Sequence, residues 1–312
     1  LTSEETALSI EAARRHYLAT LASRDDLAHL LFPLSGHLPD ERTQSMVRMK
    51  LFETILSLEK ALAGENASLI VHSRFWEPLV ENGSLRNPAL IEFAWARCIE
   101  AELQSQLVGK DMRGDLEQLP ASLLAHPDKK IAELARALLV AQHKIHDPSA
   151  ALWSEMPVEL LFQISQMMAY VAQSDDVDVA LNALCVGHDE AQSVAGLARK
   201  LSFCLDIESR AQTRSPALSG IPIFLASLEY VTGIAYDRIL ILIGHNFGDP
   251  FAMLLRAAGF SKVEAFGAAR EIFPELAING DFENRWSRVE RIDPADTLDL
   301  LSAWSSAEVI TP

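Results

Sequence analysis

Along most of the chain, apolar residues recur every three to four positions, and proline and glycine fall mostly between those runs. That period belongs to amphipathic helices; half-buried strands alternate apolar and polar residues instead. Thr2 and Glu5 have capping-box spacing ahead of Leu8, Ala12, Tyr17, Leu18 and Leu21. A second stripe, Met46, Met49, Phe52, Ile55, Leu56 and Leu62, predicts a long helix after Asp40 that stops at Gly64. Further helices are expected over 88–107, 116–124, 128–146, 157–172, 176–186 and 189–205. A polar joint at 209–219 follows, then helices over 221–231, 236–243, 250–258, 261–273 and 294–304. The β-like runs are short, at 69–72 and 309–311, and a sheet needs more than they supply. The expected class is all-α.

Many medium helices on short loops bury their faces either as a bundle or as stacked pairs, and internal repetition discriminates between the two. Asn87-Pro88 leads to Trp95-Ala96-Arg97, and Pro127-Asp128 leads to Leu134-Ala135-Arg136. His188-Asp189 likewise precedes Leu197-Ala198-Arg199. Each unit places a small residue where another helix can approach, followed by a basic one. The first spacing is near the roughly 40 to 47 residues of HEAT-type units. A HEAT-like superhelix of stacked helical hairpins is therefore expected, with a region at 1–208 and a second at 220–312 packed continuously on it.

Net charge excludes some partners. With 27 basic and 43 acidic residues the chain carries −16, so its average surface repels phosphate backbones and anionic headgroups. No nucleic acid is expected as a partner. The acidic stretch from Glu271 onward reads as a solubilising face, or else as a docking face for a basic partner. The most apolar stretch, 221–243, contains Glu229, Asp237 and Arg238, which argues against membrane insertion. Glu4, Glu5, Glu11, Arg14 and Arg15 interrupt the first 21 residues where a signal peptide needs an apolar run. Cys98, Cys185 and Cys204 are odd in number and widely spaced, and read as buried thiols of a cytoplasmic protein.

Several constellations invite a chemical reading. Residues 239–250 resemble strand, glycine loop and helix start, the layout that cradles phosphate. Yet Gly244 and Gly248 match neither a P-loop nor a dinucleotide fingerprint, and a buried helix ending at Gly244, with Asp249 capping the next, fits better. His146-Asp147 and His188-Asp189, with His126 and His143, could serve a helical metal site; the aspartates also stand where helices start or stop, which suits capping. No nucleophile elbow or comparable catalytic signature occurs. Trp76, Trp95, Trp153, Trp286 and Trp304, with Met167 and Met168, read as core rather than as a pocket lining. No cofactor is expected. Asn66-Ala67-Ser68 and Asn82-Gly83-Ser84 have the form of glycosylation sequons, without consequence in a cytoplasmic protein.

In the C-terminal third, Gly220, Ile223-Phe224-Leu225-Ala226, Thr232-Gly233, Asp237-Arg238 and the run 251–261, with Leu254-Leu255-Arg256-Ala257-Ala258-Gly259, carry a resemblance. They resemble the end of the bacterial domain-of-unknown-function family DUF 2336. The N-terminal half matches that family in helical layout only. The resemblance implies an all-helical, HEAT-like protein with no established activity, and brings no catalytic residue. The leading expectation is a non-enzymatic interaction or regulatory adaptor module whose partner is another protein. The alternatives are a metal-dependent phosphohydrolase using His146, Asp147, His126 or His188, and a binder of small apolar ligands. At residue level, His245, Asn246 and Asp249, on a glycine-bearing joint between two apolar helices, form the candidate interaction loop.

Overall fold

The computed structural model describes residues 41–64, 70–109, 119–146, 152–244, 249–275 and 280–306. The described residues form sixteen α-helices, four single 3₁₀ turns and no strand. The protein is all-α. Contacts divide it into two compact units, one drawn from described residues within 99–138 and 198–312, the other from those within 21–98 and 139–197. The N-terminal capping box, the first apolar stripe, residues 116–118, the 66–68 sequon and the 309–311 run lie outside the described residues.

In the second unit, α1 (Glu41–Ala63) follows Asp40 as expected, and α2 (Trp76–Glu81) packs on it and on α6. Helix α3 (Pro88–Gly109) starts on proline, which fits the first helical turn because its missing N–H would be unbonded there anyway. Short α4 (Leu119–Ser122) belongs to the first unit, and the residues of α3 and of α5 (Lys129–His146) are divided between the two. A hairpin then forms from α6 (Val158–Ala172) and α7 (Asp175–Gly187), joined by two residues, with Gln173 in the left-handed region at φ 48°. Asp175, Asp176 and Asp178 in the first turn of α7 favour that positive helix end.

The helix expected over 189–205 is interrupted. A 3₁₀ turn at Glu190–Gln192 precedes α8 (Val194–Cys204). The break is specified locally: Ser193 Oγ accepts the Gly196 N–H at 3.0 Å and the Glu155 carboxylate accepts the Val194 N–H at 2.7 Å, so helix α8 has its own start. The polar joint at 209–219 is likewise helical. Asp206 accepts the Ser209 N–H to begin α9 (Ile207–Gln212), and Ser215 caps α10 (Pro216–Ser219). Both helices lie inside the first unit.

That unit is built on α11 (Ile221–Thr232), α12 (Tyr236–Gly244) and α13 (Asp249–Ala257). Helix α14 (Lys262–Ile272) opens with a complete capping box, Ser261 with Glu264. Helices α15 (Asp281–Val289) and α16 (Pro294–Ser306) pack on α13. Phe251 meets Phe273 and Phe282 edge-on or tilted, and Phe282 stacks on Trp286, so one aromatic cluster ties α13 to α15. Trp76, Trp95 and Trp286 are core residues, whereas Trp153 is half-buried. Residues 239–243 lie in a helix, not a strand, which removes the phosphate-loop geometry. Ala96, Ala135 and Ala198, the small residues of the three Ala-Arg matches, are all fully buried. Arg97 is buried with its alanine, while Arg136 and Arg199 face solvent. Of the three free cysteines Cys98 alone is buried; Cys185 and Cys204 are half-buried, because each falls near the end of its helix.

Candidate functional site

Among the described residues, the histidines and aspartates singled out in sequence do not converge. His245 and Asn246 lie outside the described residues, as does the side chain of Asp249, the first residue of α13. His146 ends α5 and Asp147 lies outside. His188 sits with Nε2 2.8 Å from the Met156 carbonyl oxygen, and its ring is tilted beside Trp153. His126 Nδ1 accepts the Asp128 N–H, His143 is exposed, and Asp189 accepts the Ala191 N–H at the 190–192 turn. Among the described residues no three His, Cys, Asp or Glu side chains gather at metal-binding distance.

A different place stands out, where α8, α9 and α11 meet the end of α13. A groove of about 230 Å³ is lined by Ser202, Arg210, Thr213, Arg214, Leu228, Tyr230, Val231, Ala258 and Phe260, among others. Its floor follows from how α13 ends. Gly259 is left-handed at φ 71°, the Phe260 N–H reaches back to the Leu255 carbonyl, and the Gly259 N–H reaches Arg256. This Schellman closure turns the chain so that Phe260 tucks inward, edge-on to Phe224. Arg214 lies over the Phe260 ring at 4.9 Å, donates to the Gly259 carbonyl at 3.0 Å and pairs with Glu264 at 2.8 Å.

Around this groove the surface is unusually apolar. Phe203 is 69% exposed, Ile207 90%, Tyr230 65% and Val231 53%, and Phe203 meets Tyr230 edge-on at 6.5 Å. Single exposed apolar residues are ordinary, but two exposed aromatics in contact, with further exposed apolar residues close by in sequence, are not. Hydroxyls within the groove are mostly spent on backbone: Thr213 donates to the Arg210 carbonyl and Ser227 to Phe224. Ser202 Oγ is buried with no partner among the described residues. The charged residues lining the groove are the two arginines.

Glu264 links the groove wall to a helix start, and its titration reports on that link. Burial pushes its carboxyl up, but the Ser261 hydroxyl and N–H and the Arg214 guanidinium outweigh this and hold it below the ordinary value of 4.5. A lowered carboxylate pKa contributes stability that is complete above the unfolded value and is lost as pH falls through the folded one. Urea unfolding of the wild type and Glu264→Gln should therefore differ at neutral pH and converge on acidification below 4.5. A gap that stays constant to low pH would contradict this.

The sequence carried a faint signal for the groove. Val194, Leu197, Ala198 and Leu201 make the buried stripe of α8, and Phe203 falls on the opposite side, an aromatic on the polar face. In α11 no such reading was available, since residues 221–226 are all buried and the outward face begins only at Ser227. Compared with family models, curated proteins and solved structures, the chain matches none.

Proposed function

We propose that this chain is a non-enzymatic protein-interaction module that holds its partner through the groove between α8, α9 and α11. The carrying observation is the exposed aromatic pair Phe203 and Tyr230, with Val231 next to it and Ile207 exposed at the start of α9, beside an apolar floor. Large apolar patches with polar rims mark association surfaces, and aromatic and arginine side chains dominate binding energy at such surfaces. The α6–α7 hairpin and the three buried alanines support a HEAT-like stacking of helical pairs, and the resemblance of 220–261 to DUF 2336 supports a bacterial adaptor without catalytic machinery. The free thiols fit the cytoplasm as its compartment.

Because Phe203 and Tyr230 are exposed, replacing both with serine removes contact surface while leaving the core intact. The wild-type chain should retain one protein partner at unit stoichiometry, and Phe203→Ser/Tyr230→Ser should lose it by at least about tenfold in affinity with an unchanged melting temperature. Equal retention by both proteins would move the interface elsewhere.

A further inference from the structure

Resting on that reading, we infer that the partner presents an acidic amphipathic helix, one apolar side chain seated in the groove and a carboxylate beside it on Arg210. Three observations lead there. The groove's volume of about 230 Å³ falls below the roughly 300 to 1,000 Å³ of sites that enclose whole small molecules, and suits a single anchor side chain. Exposed apolar side chains come from three helices, Phe203 on α8, Ile207 on α9, and Tyr230 with Val231 on α11, a spread that suits the i, i+3, i+4 stripe of a helix. The charge of the lining has one sign, in a protein whose net charge is −16.

The two arginines are not equivalent. Arg214 is committed to Glu264 and to the Gly259 carbonyl. Arg210 is exposed, and its hydrogen bond among the described residues goes to the Phe203 carbonyl rather than to a carboxylate. Of its acidic neighbours, Asp206 spends an oxygen on the Ser209 N–H, and Glu208 lies about 200° around the helix from Arg210. Neither lines the groove. A planar guanidinium beside an apolar floor selects a partner carboxylate by a charge-assisted, two-pronged bond. A phosphate backbone or an anionic bilayer would meet the same arginine, but over a larger area it would also meet the chain's excess of carboxylates.

The test uses three fluorescein-labelled synthetic peptides that share one helical apolar stripe and carry Glu, Gln or Lys at the flanking positions, titrated with the full chain by anisotropy. The Glu peptide should bind about tenfold more tightly than the Gln peptide, with the Lys peptide weakest, and Arg210→Glu should invert the order. The Glu advantage should shrink as salt is raised. If all three bind alike, or if Arg210→Glu leaves the order unchanged while Phe203→Ser weakens every peptide, the acidic-partner inference falls and the groove reading stands. If no peptide binds, or Phe203→Ser has no effect, both fall. Co-sedimentation with phosphatidylserine vesicles that depends on Arg210 and exceeds peptide binding would overturn the inference in favour of a lipid surface.

Discussion

Gly196→Ala is expected to destabilise the protein by about 2 kcal/mol, and Gly267→Ala to stabilise it by up to about 1 kcal/mol, although both glycines sit inside helices. Alanine is the better helix former at either position, so propensity alone predicts two gains. Space decides otherwise. A Cβ on Gly196 would lie 2.6 Å from the Glu190 carbonyl oxygen and 2.9 Å from the Ala191 Cα, both backbone atoms of the preceding turn. That turn cannot readily retreat, because Asp189 holds the Ala191 N–H and the Glu155 carboxylate and Ser193 hydroxyl hold the start of α8. Around Gly267 a Cβ meets nothing within 4 Å. Overpacking costs about 1 to 3 kcal/mol and more where backbone must move, against a helix gain near 1 kcal/mol. Urea unfolding midpoints of the two variants should move in opposite directions. Shifts of the same sign would mean that α8 is not seated on the 190–192 turn as described.

The same glycine shows why the local outline was only partly legible. The run 189–205 reads as one helix because its apolar spacing is helical throughout, and nothing in periodicity distinguishes a continuous helix from a capped turn followed by one. Long elements with whole apolar stripes, such as α1, α3 and α5, were readable within a residue or two. Helix α15 was not, since its sequence is polar except for Phe282, Trp286 and Val289, whose i, i+4, i+7 spacing is nevertheless a complete buried stripe. A charge-rich segment looked like a solvated face because three large residues bury as much as many small ones. The groove was hidden for a different reason. Phe203 and Arg210 meet Tyr230 and Phe260 only because three helices and a Schellman turn converge, a relation that no local pattern encodes.

Tyr236→Phe is expected to cost about 1 to 3 kcal/mol, more than Arg199→Ala, although the tyrosine loses one hydroxyl and the arginine a whole charged side chain. Both belong to one chain of contacts in the first unit. Arg199 pairs with both oxygens of Glu229, at 2.6 and 3.1 Å, and Glu229 also accepts the Tyr236 N–H. The Tyr236 hydroxyl then donates to Glu100 at 2.6 Å. The difference lies in solvent. Arg199 is 42% exposed, so water and salt screen its pair and replace much of what it loses, and such pairs contribute about 0.2 to 1 kcal/mol. Tyr236 is 0% exposed and Glu100 1%, so a carboxyl deprived of that donor has no bulk water to turn to. Phenylalanine preserves the ring and its packing, so the loss reports the hydrogen bond rather than a cavity. Adding about 0.5 M salt should shrink the Arg199→Ala effect and leave the Tyr236→Phe effect in place. If Tyr236→Phe unfolds at the wild-type urea concentration, the buried bond contributes nothing net, and other contacts, the apolar packing of Ile99 on Gly244 among them, hold α12 to α3.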